Sequence, residues 1–265
     1  MRKIVSEHEC NGKYGRERMH PALLLKKEAA EARGEEFPHV PSEATIYRIM
    51  GKIGLVQPIK RKPSGVTKAD KEAQKSDNIL NRDFKADKPH EKCVGDISEV
   101  PCLDGKLYVS LFADCFDNEI LGLSIADHMR ASLVRDTLAM AVRLHPQLVT
   151  NKAIAHTDRG SQYTSDLYRN YLEKQGLTQS MNSAAGRCHD NAKAESIFAR
   201  FKEELLYGRY DTRKMPMESV KYLIWRYFMG YWNNHRICSA NGGLPPALKK
   251  RRYYQSLAQT STSAA

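Results

Sequence analysis

The chain lacks paired cysteines and long apolar runs. Six cysteines occur among its 265 residues, and none belongs to a C-x-x-C pair. We therefore expect no cysteine-based structural zinc site, and the scattered thiols favour a reducing compartment. No segment approaches the roughly 18 consecutive apolar residues of a membrane span, and the N-terminus has no apolar run typical of a signal peptide. The sequence thus predicts neither membrane insertion nor export.

Acidic residues are also few relative to basic ones. The 31 Asp and Glu residues face 42 Lys and Arg residues, which gives a formal net charge of +11. Such a balance favours a polyanionic partner, although many soluble proteins without one are equally basic. A hydrophobic content of 41% suffices for one core domain of about 130–150 residues with smaller attachments.

The clearest local pattern is AIAHTDRGSQYTS at residues 153–165. Its first four residues resemble a short buried strand, and Asp158-Arg159-Gly160 follows soon after as a turn. A carboxylate at the C-terminal end of a strand lies at the sheet edge, where ligands usually bind. A lone Asp beside Gly is most often a turn residue, so a role for Asp158 in a site depends on other acids.

Two other acids occur in unusual settings. Asp96 interrupts the strand-like segment KCVGDISEVP at residues 92–101, although strands are depleted in Asp and an unpaired buried charge is costly. Glu195 lies in HDNAKAESIFARFKEEL at residues 189–205, which has the apolar period of a helix. Two acids from strands and one from a helix can converge on one or two Mg²⁺ ions, since hard cations prefer oxygen ligands.

These segments, together with DGKLYVSLFADCFDNEILGLSIAD and YWNNHRICSANGGLPPA, closely resemble the second-frame transposase protein of bacterial insertion sequences. The group is the insertion sequence three family, whose catalytic core is similar to retroviral integrase. The resemblance covers nearly the whole chain. It implies an RNase-H-like fold, Mg²⁺ that Mn²⁺ can replace, and cutting and joining of the element's DNA ends. It places the catalytic and metal-binding triad on Asp96, Asp158 and Glu195.

The sequence departs from the family pattern in the spacing between Asp158 and Glu195, which is one residue longer, at Cys93, where the family often has an aromatic residue, and at Ala199. Ala199 stands where the family often has Lys one turn after the third acid, while Lys202 keeps a basic residue on the same helix face. The N-terminal His/Cys zinc module of retroviral integrases is not matched, because His8, Cys10 and His20 lack its paired spacing. We therefore predict Mg²⁺ and no zinc.

The predicted order of elements in the core is β-β-β-α-β-α-β-α, with a hairpin turn at Asp104-Gly105. The predicted fold class is α/β, an RNase-H-like mixed five-stranded sheet with flanking helices, a small N-terminal helical module and a C-terminal helix. Crossovers from antiparallel to parallel strands place the first and fourth strands side by side. That arrangement would bring Asp96 next to Asp158.

Five regions are predicted along the chain. They are a helical, helix-turn-helix-like DNA-binding module at 1–55, a basic linker at 56–91, the integrase-like catalytic core at 92–207, a C-terminal helical extension at 208–254 and a disordered tail at 255–265. In the first region, Ser42 caps a helix whose polar face carries Arg48 and Lys52. A helical hairpin docked on the core is the alternative interpretation of this module.

The predicted DNA contacts are basic or polar side chains in the basic segments or near the expected site. They are Arg48, Lys52, Lys60, Arg61, Lys62, Arg159, Ser161, Gln162, Tyr163, Arg187, Lys202 and Arg236. Basic side chains suit phosphates, but polar helix faces are often merely solvated and loop side chains often only hold the loop.

The sequence therefore predicts a DNA transposase that cleaves element ends and transfers strands, in the bacterial cytoplasm and associated with the nucleoid. Its expected partners are double-stranded DNA of the terminal repeats and target, further copies of itself, and a first-frame protein, separate or fused. Two alternatives remain open. One is a non-catalytic DNA-binding product that modulates transposition, and the other is an RNase-H-like nuclease acting on RNA–DNA hybrids.

Overall fold

The computed structural model describes residues 1–56, 76–183, 188–207 and 209–263. Within these ranges the chain forms the helices α1 Arg2–Glu7, α2 Arg16–Glu31, α3 Glu43–Lys52, α4 Ala131–Leu144, α5 Gln147–Thr150, α6 Ser161–Thr164, α7 Asp166–Lys174, α8 Ala192–Phe201, α9 Met217–Trp225 and α10 Pro246–Ser263. Helices α8 and α9 continue directly into π-helical turns at Lys202–Leu206 and Arg226–Trp232. No helix in the described ranges is both long and apolar enough to cross a membrane.

The strands form one five-stranded mixed sheet, in the order β3-β2-β1-β4-β5. They are β1 Lys92–Cys102, β2 Gly105–Asp114, β3 Ile120–Ala126, β4 Ile154–Thr157 and β5 Thr178–Met181. The first three are antiparallel neighbours, while β4 runs parallel to β1 and to β5. A tight hairpin joins β1 and β2, with Cys102 paired to Gly105. The predicted RNase-H-like sheet and the predicted adjacency of its first and fourth strands are confirmed.

Helices cover both faces of this sheet. Successive residues of a strand point to opposite faces, so Leu111 and Phe112 of β2 belong to different apolar cores. The core around Phe112 includes residues of α4 and α7, such as Leu138 and Leu172. The core around Leu111 includes residues of α8 and α9, such as Phe198. The sheet is therefore the middle of three layers, and α8 reaches it from one side.

The N-terminal helices form their own apolar cluster, which includes Met19, Ile46 and Met50 together with Ile237 from the C-terminal extension. The Ser42 hydroxyl accepts a hydrogen bond from the Thr45 N–H at 3.4 Å, as expected of the predicted helix cap. The segment 32–42 between α2 and α3 is longer than the 3–4-residue turn typical of a helix-turn-helix. The structure therefore favours the docked helical hairpin over the predicted helix-turn-helix-like geometry.

The structure also differs from the sequence predictions in the linker and tail. Part of the predicted linker packs on the core, because Leu80 is buried and the Ile79 N–H donates to the Ser180 hydroxyl at 3.0 Å. The predicted disordered tail instead continues helix α10 to Ser263. No Gly or Pro interrupts the chain after Pro246, so nothing there stops the helix. Four predicted DNA contacts lie outside the described residues: Lys60, Arg61, Lys62 and Arg187.

Candidate active site

Strand pairing brings two of the predicted acids together. Val94 of β1 pairs with His156 of β4, so the same parallel register carries Asp96 alongside Asp158 two residues later. Side chains alternate between the two faces of a sheet, so paired positions such as these place both carboxylates on the same face. A Cβ on Gly95 would lie 3.3 Å from Thr157 Cγ2, so a small residue suits this close approach of the strands.

The Asp96 carboxylate is strongly influenced by its surroundings. Its Oδ1 accepts a hydrogen bond from the Ile97 N–H at 2.8 Å. Burial raises the pKa of Asp96, the charge of Asp158 raises it further, and with a smaller effect of Glu195 it reaches about 8. The charge of Lys202 opposes this rise. The three predicted acids therefore share one electrostatic environment, in which negative charge is in excess.

The Asp158 carboxylate lies at the C-terminal end of β4, before α6. Burial raises its pKa, and the Gly160 N–H, which donates to Asp158 Oδ1 at 2.9 Å, partly opposes that shift. A Cβ on Gly160 would lie 3.1 Å from Asp158 Oδ1 and 2.9 Å from Gln162 Oε1. The absence of a side chain at Gly160 therefore keeps space open beside this carboxylate.

Glu195 is exposed on the first turns of α8, and neighbouring residues fix where that helix begins. The Asn191 side-chain amide donates to the Gly95 carbonyl oxygen at 3.2 Å, which ties the helix start to β1. His156 Nε2 donates to the Asp190 carbonyl oxygen at 2.8 Å, and His156 Nδ1 lies 2.8 Å from the Ser180 hydroxyl. His156 is thus a buried, hydrogen-bonded histidine that supports α8 from β4.

The three acids suit a hard cation. Carboxylate oxygens are the ligands that Mg²⁺ prefers, and the raised pKa of Asp96 reflects a surplus of negative charge that a cation would relieve. Within the described ranges, the oxygens of the triad do not all lie within 4.8 Å of one another.

The predicted DNA contacts around the site divide into accessible and buried side chains. Ser161 is exposed, and Gln162 is half-buried with its amide donating to the Met129 carbonyl oxygen at 3.0 Å. Arg159 is half-buried, and its Nε donates to the Asn182 carbonyl oxygen.

Lys202 is half-buried in the π-helical turn after α8. Burial lowers the pKa of its ammonium, and the charge of Asp96 counteracts that effect. Lys202 therefore lies within electrostatic range of the acids, a placement that the helix period of the sequence had only suggested.

Two predicted DNA contacts are contradicted by burial. Tyr163 is 3% exposed and packs edge-to-face against Tyr168 at a ring distance of 5.3 Å. Arg236 is 6% exposed, and its Nε and one terminal nitrogen donate to the Glu204 carboxylate at 2.9 and 2.8 Å. Tyr163 belongs to the apolar core around Phe112, and Arg236 is held inside the protein by an oppositely charged residue distant in sequence.

Known proteins resemble this chain over most of its length. The family model described as Integrase core domain matches residues 86–188. Among solved structures, the HTLV-2 integrase catalytic core domain in complex with magnesium is 14% identical, with a TM-score of 0.43 over 61% of this chain and 97% of that one. Because this structural similarity is low, the assignment of the chain to a family rests on its sequence relatives.

Two curated relatives come from Escherichia coli strain K12. The Putative transposase InsK for insertion sequence element IS150 is 32% identical over 257 residues, which cover 96% of this chain and 84% of the relative. The Transposase InsF for insertion sequence IS3A is 33% identical over 218 residues, which cover 82% of this chain and 72% of the relative. This chain belongs to the insertion-sequence transposases that carry an Asp-Asp-Glu integrase core.

Proposed function

We propose that this transposase cleaves the DNA ends of an insertion sequence and joins them to target DNA, with Asp96, Asp158 and Glu195 as its catalytic triad. The observation that carries this proposal is the pairing of β1 with β4, which sets Asp96 beside Asp158. The effect of Glu195 on the pKa of Asp96 supports its membership of the same site. The reaction would be an in-line phosphoryl transfer.

In this proposal the three carboxylates hold Mg²⁺, or Mn²⁺ in its place. When bound, the metal supplies activation of a water or 3′-hydroxyl and stabilisation of the leaving oxygen. The protein's own contribution is to hold the three carboxylates in position. The Ile97 and Gly160 N–H groups orient the two strand carboxylates, and Asn191 fixes the start of the helix that carries Glu195. Such rigid support holds reacting groups within the narrow geometry that phosphoryl transfer requires.

The proposed partner is double-stranded DNA of the terminal repeats and of the target. Ser161, Gln162 and Arg159 lie on the loop and helix that follow Asp158, where a DNA backbone approaching the carboxylates would pass. Arg48 and Lys52 are exposed on α3 and provide a second basic contact. We further propose that copies of the chain assemble on DNA, with or without a first-frame protein, in the bacterial cytoplasm at the nucleoid.

The direct test is strand transfer by Asp158→Asn on a terminal-repeat oligonucleotide with Mg²⁺. We expect a loss of more than about a hundredfold in rate with unchanged DNA affinity, because Asp158 would hold the metal that stabilises developing charge, and one such stabilising group typically contributes that much. Asp136→Asn is the matched control, since the Asp136 side chain is 54% exposed on α4. Transfer by Asp158→Asn at the rate of the unaltered protein would contradict the proposed triad.

The same assay, repeated with an RNA–DNA hybrid as a second substrate, separates the two alternatives. A chain that binds the oligonucleotide without cleaving or joining it, with Mg²⁺ or Mn²⁺, would be a DNA-binding product that modulates transposition. A chain that cuts RNA–DNA hybrids and never joins strands would be an RNase-H-like nuclease.

A further inference from the structure

We propose a second metal site, distinct from the catalytic acids, in which His90, Glu119 and His145 bind a divalent transition-metal ion such as Zn²⁺. One ligand atom from each of these three side chains lies within 4.8 Å of the other two. Two imidazole nitrogens and one carboxylate oxygen form a donor set that zinc uses with three protein ligands and one remaining position. Mg²⁺ prefers an all-oxygen set and fits this group poorly.

The group lies at the opposite end of the sheet from Asp158. His90 precedes β1, Glu119 precedes β3, and His145 follows α4. Asp96 lies four positions after Lys92, the first residue of β1, and a strand rises about 3.3 Å per residue, so β1 alone separates the two sites by about 13 Å along its length. An ion here would join β1, β3 and α4 without touching the catalytic carboxylates.

His90 supplies an independent indication of a ligand. It is 2% exposed, and neither of its ring nitrogens has a hydrogen-bond partner among the residues that the structure describes. A buried polar atom left without a partner is costly and rare in folded proteins. A metal ion would give one of these nitrogens a partner. Burial lowers the pKa of His90 to about 4 and also lowers the pKa of His145, so both rings are in the neutral form that binds metals.

Charge around the group favours an added cation. Asp117 is fully buried, and one of its oxygens has no hydrogen-bond partner within the described part of the chain. Burial, together with the charges of Asp114 and Glu119, raises the pKa of Asp117 to about 8. Lys250 of α10 partly offsets this negative charge by pairing with Oε2 of Glu119. A metal ion at Glu119 would share the carboxylate with this ammonium or displace it. Lys250 is therefore a competitor whose removal strengthens metal binding.

The test uses the full-length chain with Asp96→Asn, Asp158→Asn and Glu195→Gln, which removes the catalytic carboxylates as binding sites. Zn²⁺ is titrated against a chromophoric chelator in excess Mg²⁺. We expect one tightly bound equivalent, at least about tenfold weaker binding after His145→Gln, and tighter binding after Lys250→Ala. His39→Gln is the matched control, because His39 is exposed on the segment between α2 and α3.

Two further measurements guard against misfolded variants. Zn²⁺ should raise the thermal midpoint of the chain with an intact His145 but not that of His145→Gln, since an ion that binds only the folded state stabilises it. Co²⁺ should give visible absorption bands of nitrogen-ligated metal that Glu119→Gln weakens and His39→Gln leaves unchanged. Absence of stoichiometric Zn²⁺ binding, or equal affinity of His145→Gln and the parent chain, would overturn the proposal.

Discussion

The position of Glu195 depends on Asp190, a residue outside the proposed catalytic triad. Asp190 is 1% exposed just before α8, and its carboxylate accepts hydrogen bonds from the Ser183 N–H at 2.9 Å and from Arg82 Nε at 2.8 Å. Burial would raise the pKa of Asp190, but the hydrogen bonds from Ser183 and Arg82 outweigh it and lower the pKa to about 2. The charged form of Asp190 therefore anchors the segment that leads to Glu195.

The stability contributed by Asp190 should depend on pH. Because the pKa of Asp190 in the folded chain is about 2, below its ordinary value of 3.8, the contribution is complete above about pH 4 and is lost as the pH falls towards 2. We expect Asp190→Asn to lower the free energy of unfolding by about 2 kcal/mol at pH 7 and by much less at pH 2.5.

Urea unfolding at several pH values measures this difference. Asp136→Asn, which alters an exposed carboxylate, should show no such trend. A difference between the Asp190→Asn variant and the parent chain that stays constant from pH 7 to pH 2.5 would contradict the assignment.

At the scale of elements, the approach of α4 to the sheet depends on one glycine of β3. A Cβ on Gly122 would lie 2.2 Å from the Thr137 backbone carbonyl oxygen and 3.1 Å from Ala141 Cβ. The Thr137 carbonyl oxygen is a backbone atom, which cannot move aside as the end of a flexible side chain could. Helix α4 and strand β3 would therefore have to separate. Gly122 thus sets the spacing of the layer that contains α4.

Gly122→Ala should therefore destabilise the fold by about 3 kcal/mol, because overpacking between close elements typically costs this order of energy. Urea unfolding monitors the change. Gly51→Ala is the control, since no described residue lies within 4 Å of a Cβ there and Ala favours the interior of a helix such as α3. A Gly122→Ala variant as stable as the parent chain would show that α4 does not pack closely against Gly122 of β3.

At the scale of the whole molecule, one buried carboxylate joins three parts of the chain. Glu204 is fully buried in the π-helical turn after α8 and pairs with Arg18 of α2 at 2.5 Å. It also accepts hydrogen bonds from Arg236 and from the Tyr227 hydroxyl at 2.9 Å. The opposing charge of Arg236 keeps the pKa of Glu204 below its usual value, against burial, which would raise it. The N-terminal module is thereby bound to the core and the C-terminal extension.

Glu204→Gln should destabilise the protein by about 3–5 kcal/mol, because it leaves the buried Arg236 guanidinium without its counter-charge. Glu203→Gln is the matched control. The Glu203 side chain is 53% exposed and pairs with Arg200 on the surface, so its loss should cost less than about 1 kcal/mol. Chemical unfolding compares the two variants, and equal effects would refute a central role of Glu204.

The proposed DNA contact of the N-terminal module rests on two basic side chains that are exposed on α3, Arg48 and Lys52. Removing the exposed charges with Arg48→Ala and Lys52→Ala should weaken duplex binding and reduce the slope of log affinity against log salt by about 2, since each phosphate contact contributes about 0.9. Fluorescence anisotropy at several salt concentrations measures both. The double variant Lys214→Ala and Lys221→Ala removes equal charge elsewhere. An identical salt slope for both double variants would argue against a DNA-binding role of α3.

Several features were predictable because neighbouring residues encode them. Short apolar runs and the hairpin turn at Asp104-Gly105 indicated the strands, and the connection rules placed the strand of Asp96 beside that of Asp158. The burial of Arg236 was not predictable in this way. In the sequence, an Arg near an aromatic helix resembles a surface DNA contact. Its partner, Glu204, lies 32 positions away in the chain, and only the fold brings the two side chains together. Tyr163 was misjudged for the same reason, since its enclosing residues come from other elements.

Local patterning of the chain thus specified the strand order, the two strand acids and the helix of the third acid, because each depends on residues a few positions apart and on general rules of chain connection. Only packing in three dimensions decided which charged and polar side chains became buried. Burial, counter-charge and missing hydrogen-bond partners are properties of surroundings that the chain assembles from distant segments. This is why the pairing of Glu204 with Arg236, and the convergence of His90, Glu119 and His145, emerged from the fold alone.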